Sequence, residues 1–161
     1  MTLSAHTIIG VAVASLTPNH PEIGFVTAFI SHFAIDAIPH WDYTITSDFA
    51  NPRNTNKSSM DRKFIFDLVR FSGDILLGLF FCFLFFFQPS HLGFFVAGVL
   101  GGILPDFFQF VYAKFQKQPF IFFQKLHHIS HSKTRITHSF WGPSLQIAFV
   151  IIFLSIQQFF S

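Results

Sequence analysis

The stretch Ser31–Asp42, SHFAIDAIPHWD, decides how this chain is read. It carries His32, Asp36 and His40 four residues apart, at the end of an apolar run. On a helix, that spacing gathers the three side chains within about 80° of arc on one face. Pro39 lacks a backbone donor and its ring crowds the preceding turn, so it should end or kink the helix. His40, Trp41 and Asp42 are then presented just beyond the break. Four candidate metal or proton ligands stand close together against a background of phenylalanine and aliphatics.

That background sets the class. Of 161 residues, 51% are hydrophobic, only 11% are charged, and 27 are Phe. A soluble domain of this size needs more charge to cover its surface. The expectation is therefore a single integral-membrane domain over residues 1–161, an all-α, multi-pass transmembrane bundle. The one cysteine, Cys82, lies in an apolar run and can form no internal disulfide. The first apolar stretch has no basic lead-in, so it reads as a retained helix rather than a signal peptide. No direct nucleic-acid binding is expected.

About five spans follow from the apolar runs: roughly Ser4–Leu16, Glu22–Ile38, Asp61–Phe87, Leu92–Leu104 and Pro143–Phe160. The first is short for a full crossing, which takes about 20 residues. TPNHPE at 17–22 and QPSH at 88–91 are turns rich in breakers. The segment 43–61 is a polar loop, and 106–140 is an amphipathic stretch with four histidines. Every Lys and Arg falls within 53–70 or 114–135. Alternating spans put both regions on one face together with the N-terminus, and the positive-inside rule makes that face cytoplasmic. His6, His40, Asp42, Asp67, Asp106 and His138 are then expected on that side, with His32, Asp36 and Asp74 a turn or two deeper. Ile38-Pro39-His40 and Leu104-Pro105-Asp106 each end a helix that follows a short turn, which raises a possible parallel repeat of two helical hairpins.

Ionisable groups inside a span are costly and face the bundle interior or a wet cavity. For His32 and Asp36 there are two readings. They are ligands of a divalent metal such as zinc, for which imidazole and carboxylate are suited, or they form a hydrogen bond that stitches helices. His6, His40, Asp106 and His138 extend the candidate metal set. Asp67, Arg70 and Asp74 share a helix face and read either as a neutralised charge cluster or as a base with an anion-binding arginine. On a helical 127–138, His127, His131, Arg135 and His138 would share one face. The alternative there is an interfacial basic stretch.

His6-Thr7 with Gly10, the Pro-ended helix with its polar ligands, Leu104-Pro105-Asp106, and Arg135-Ile136-Thr137-His138-Ser139 before a last span form a recognisable combination. Over roughly 4–142 it resembles the LexA-binding, inner-membrane-associated metal-dependent hydrolase family. The resemblance implies a helical membrane bundle in the inner membrane, with His6, Asp106 and His138 at family polar positions. The chain departs from the family pattern at the first turn, where His40 replaces the first Asp of Leu-Pro-Asp-x-Asp and Asp42 keeps the second. Phe108 stands where the second turn would carry another acid, and Lys133 takes the place of a family His.

The leading functional expectation is a membrane-embedded metal-dependent hydrolase with its His/Asp site at the cytoplasmic interface. Asp42 or Asp67 would take a proton, and Arg70 or Arg135 would hold an anionic group. A site level with the headgroups favours membrane lipids or lipid-linked esters and phosphoesters as substrate. No G-x-S-x-G is present, which argues against a serine nucleophile. The alternatives are an ion- or proton-conducting or sensing protein, and a non-enzymatic adaptor whose loops bind a cytoplasmic protein partner.

Overall fold

The computed structural model describes residues 1–45, 62–134, 136, 138 and 140–160. The described part is helical: α1 (Leu3–Ala14), α2 (Pro21–Asp36), α3 (Arg62–Phe86), a 3-10 turn (Pro89–His91), α4 (Leu92–Phe115), α5 (Phe120–Ser130) and α6 (Trp141–Phe160). Among the described residues, three segments are long and apolar enough to cross a membrane: Arg62–Phe86, Pro89–Ala113 and Trp141–Phe159. Of the five expected spans, the first two form shorter helices. At 12 and 16 residues, α1 and α2 reach about 18 and 24 Å at 1.5 Å per residue, short of a hydrocarbon core of about 30 Å.

α1 is the axis of the bundle. It is apolar on nearly every side, as a helix of a protein core or a membrane is. Its residues from Ala5 to Ala12 are all buried, and α2, α3, α4 and α6 all pack on it. Small residues make this possible. On α4, Gly98 and Gly102 are four apart and face α1: a Cβ on Gly102 would stand 2.5 Å from the His6 carbonyl oxygen, and one on Gly98 would stand 2.6 Å from Val11 Cα. Gly101 faces α2 just as closely, 2.7 Å from the Phe25 carbonyl oxygen. Such stripes are how helices associate in lipid, where burying apolar surface supplies no drive between them. α6 is tied to both ends of α1 by amide side chains, Gln146 to the Thr2 hydroxyl at 2.8 Å and Gln157 to Ser15 Oγ at 3.1 Å. The outward faces of α3 and α6 expose large apolar side chains, among them Phe80, Phe83, Leu84, Ile151 and Ile152.

Two boundaries differ from expectation. α4 was expected to stop at Pro105, yet it runs on to Phe115 with Pro105 inside. A proline removes one helical hydrogen bond and crowds the carbonyl four residues back. Here that carbonyl belongs to Gly101, in a turn held between α1 and α2, and neighbouring helices make interior prolines tolerable in membranes. Pro39 acts as expected: α2 ends at Asp36, and His40 follows in extended chain. The two proline motifs thus occupy different places, one past a helix end and one within a helix.

The second difference concerns 127–138, which is not one helix. α5 ends at Ser130 and His131 is extended. The chain after it lies along the exit of α2, with Ser132 N–H donating to the Asp36 carbonyl at 2.7 Å and Ile136 N–H to the His40 carbonyl at 3.0 Å.

Candidate metal centre

Four helices and one loop deliver imidazoles and carboxylates to a single point. α2 supplies His32 and Asp36 at i,i+4, both buried. α1 supplies His6, whose ring stacks on that of His32 at 3.8 Å between centroids. The glycine contacts of α4 allow that approach. The turn after Pro105 supplies Asp106, and α5 supplies His127 with His131 just past its end. Pro39 turns the chain so that His40 and Asp42 come back over the end of α2.

The distances are short. Asp36 Oδ1 lies 3.1 Å from His6 Nε2 and 3.7 Å from His40 Nε2. Its Oδ2 lies 3.4 Å from His32 Nε2 and 3.0 Å from His127 Nε2. Asp106 Oδ1 is 3.7 Å from His32 and 3.4 Å from His127, and its Oδ2 is 4.0 Å from His6. Asp42 is 3.3 Å from His40 and 3.4 Å from His131. The Met1 ammonium sits 3.1 Å from Asp36 and 2.8 Å from Asp42. Two sets of potential ligand atoms result, His32/Asp36/Asp106/His127 and Asp36/His40/His131. Within each set the atoms lie within 4.8 Å of one another.

The hydrogen bonds around the rings decide which nitrogen faces inward. His32 Nδ1 is 2.7 Å from the Gly102 carbonyl, His40 Nδ1 is 2.7 Å from the Ile38 carbonyl, and His131 Nδ1 is 3.0 Å from the Ser132 carbonyl. A carbonyl can only accept, so each Nδ1 donates. In the neutral ring the Nε2 lone pair then points at the carboxylates, the arrangement that outer hydrogen bonds impose on metal-ligating histidines. Gln109, one turn beyond Asp106, places its side-chain nitrogen 3.1 Å from Asp106 Oδ1 and 2.8 Å from His127 Nε2.

The cluster is also unsatisfied. Among the described residues, His6 Nδ1 and Nε2, His32 Nε2, His40 Nε2 and Asp36 Oδ2 are buried and make no well-aligned hydrogen bond, the Nε2 atoms and Asp36 Oδ2 having only the imidazole–carboxylate contacts given above. Leaving such a group unpaired costs roughly 1–3 kcal/mol, so several in one place call for an explanation such as a bound ion. The charges respond as expected. Burial alone would lower the His127 imidazole, but Asp106 and Asp36 outweigh it and hold it at about 9. Asp42 holds His131 above the ordinary value. Burial would raise Asp42 itself, yet His131, His40 and the Met1 ammonium keep it well below the usual carboxylate range.

Of the residues singled out in the sequence, His6, His32, Asp36, His40, Asp42 and Asp106 are brought together. His138 is not: it is exposed, and its Nδ1 accepts from the Phe140 and Trp141 N–H groups at 3.3 Å, at the start of α6. The helical face that would have carried it inward is broken after Ser130. Asp67 is buried on α3 and belongs to neither set. Arg70 donates to the Thr44 carbonyl at 3.2 Å and lies over the Tyr43 ring. Arg135 lies outside the described residues. Asp74 accepts from Tyr43 Oη at 2.7 Å and from Ser4 N–H at 3.0 Å, anchoring the first turn of α1. His127 and His131, left out of the expected ligand set, are central, and their i,i+4 spacing was the signal that pointed to them.

No protein-family profile, no curated protein and no solved structure matches this chain.

Proposed function

We propose that the chain is a membrane-embedded metal-dependent hydrolase whose ion is held by His32, Asp36, Asp106 and His127. One observation carries this reading: imidazole and carboxylate atoms from three helices converge on one point, several of them buried with their hydrogen-bonding capacity unused. Two nitrogens and two carboxylates form a donor set that suits zinc or a similar divalent ion. When bound, such an ion supplies Lewis acidity and brings a water near neutral pKa.

The other residues have roles consistent with that chemistry. His6 packs on His32 and approaches Asp36, holding both in place. Gln109 donates to Asp106 and contacts the same His127 Nε2 that the ion would use, so it must release that nitrogen on loading. The side chains of Asp42 and Asp106 are 20% and 24% exposed, so the cluster is reachable from outside. Asp42, outside the four-residue set, contacts His40, His131 and the Met1 ammonium and adds a carboxylate beside the site. Arg70, beside Tyr43 and Thr44, offers a cation for an anionic headgroup.

Asp106 lies seven residues before the end of the candidate span Pro89–Ala113, about 10 Å along a helix, and α5 lies outside the candidate spans. Both facts support a site near one membrane interface and a lipid or lipid-linked ester or phosphoester as substrate. The basic residues around it favour the cytoplasmic side of the inner membrane, with α1 and α2 as short members of a five-helix set.

Detergent-purified protein is expected to hold stoichiometric divalent metal and to release product from lipid (phospho)esters. His32→Ala and Asp36→Ala should remain helical and lose both properties. Metal-free wild type of full stability would overturn the reading in favour of an adaptor, and ion flux in liposomes without turnover would favour a conductor.

A further inference from the structure

We infer that the cluster is a two-ion centre that shares the Asp36 carboxylate, and that it acts on a phosphate ester. This rests on the reading of the first ligand set as a metal site. The two sets have Asp36 alone in common. Its oxygens are divided: Oδ2 faces His32 and His127, while Oδ1 lies 3.7 Å from His40 and 3.1 Å from both His6 Nε2 and the Met1 ammonium, a cation that also reaches Asp42 and that a second ion would displace. A carboxylate used at both oxygens by two separate groups of imidazoles is in the position of a bridge.

The second set has its own marks of a ligand site. His40 is buried, its side chain 3% exposed, and among the described residues its Nε2 makes no well-aligned hydrogen bond and meets only the Asp42 and Asp36 carboxylates. The Nδ1 atoms of His40 and His131 are both committed to backbone carbonyls, which leaves only their Nε2 atoms to offer. Asp42 stands 3.3 and 3.4 Å from those nitrogens and adds negative charge beside them.

The substrate class follows from charge. The carboxylates Asp36, Asp42 and Asp106 do not fully neutralise two divalent ions, so the loaded centre retains positive charge. A phosphate group has the charge and the several oxygens to meet both ions. Paired-ion sites are accordingly common in enzymes that displace groups at phosphorus, where the two ions stabilise the attacking and the leaving oxygen.

The test is manganese loading of the full chain in detergent, read by metal content and electron paramagnetic resonance. Two Mn²⁺ per chain with an exchange-coupled spectrum are expected in the wild type. His131→Ala should hold one ion and show an uncoupled signal. Orthophosphate should perturb the coupled spectrum and leave that of His131→Ala unchanged. One ion in the wild type, or two retained without coupling loss in a folded His131→Ala, overturns the second site and leaves the hydrolase reading standing. No ion at all overturns both. A two-ion spectrum insensitive to orthophosphate overturns the substrate class. Should His131→Ala fail to fold, the wild-type stoichiometry and coupling decide the question by themselves.

Discussion

α1 and α3 pack against each other and are both strongly apolar, yet they have opposite environments. α1 is a 12-residue helix with nine buried residues. α3 has 25 residues, of which only Asp67, Gly78 and Cys82 are buried. Apolar character therefore does not mark the inside of this bundle. In lipid the exterior is as greasy as the core, and the interior is recognised by small residues that permit approach and by polar residues that need partners. α1 meets its neighbours through Gly10 and His6, whereas α3 turns Phe80, Phe83 and Phe85 outward.

The largest test of that contrast is Asp36→Ala. Removing the carboxylate leaves the imidazoles of His6, His32 and His127 buried without their shared partner, and breaking such a buried charged set costs about 3–5 kcal/mol. Denaturant or thermal unfolding in detergent should show a loss on that scale. A variant as stable as wild type would mean the buried cluster is not what holds α1 and α2 together. Next in size is Gly102→Ala. Its methyl group meets the His6 carbonyl at 2.5 Å, so α1 must move away, at the roughly 1–3 kcal/mol typical of overpacking. The His6–His32 stack should loosen with it, and metal content should fall although no ligand has been changed.

This also explains what could be read from the sequence. The helical class, the turns at 17–22 and 88–91 and the His32/Asp36 pair were legible, because periodicity and local breakers determine them. The continuation of α4 through Pro105 was not, because it depends on Gly101 being held by other helices. His138 was misplaced because a continuous helix over 127–138 was supposed, while the backbone of Ser132 and Ile136 is instead taken up by Asp36 and His40. His127 and His131 have the same i,i+4 spacing as His32 and Asp36. Without a carboxylate on their own helix, their partners were visible only in three dimensions. The role of Gln109 was hidden for the same reason.

A third test concerns protons. In the ion-free protein His127 is held at about 9, above its ordinary 6.5. A folded-state value raised above the unfolded one gives stability that is complete below 6.5 and is lost as pH rises through about 9. Unfolding of metal-free protein should therefore become easier across that window. Metal competes with the proton for the same nitrogen, so loading at about pH 7.5 should release protons and tighten as pH rises. Calorimetric titrations in buffers of different ionisation enthalpy measure the release directly. Metal binding without proton release would remove His127 from the ligand set. His127→Gln should reduce the pH-dependent loss, leaving the part that His131 contributes.

The smallest effect is the most discriminating, because it applies one chemical change to opposite environments. Among the described residues nothing lies within 4 Å of the position a Cβ on Gly73 of α3 would take, so the methyl group of Gly73→Ala meets none of them. There the helix preference of alanine over glycine operates alone, up to about 1 kcal/mol in favour of the variant. Gly102→Ala gains the same preference and should still lose stability, so the two substitutions differ in sign. If both stabilise, α1 is not held against α4 as closely as the His6 carbonyl contact requires. If both destabilise, α3 is covered at Gly73 by something other than the described residues, and its outward face there is a contact surface and not a lipid-facing one.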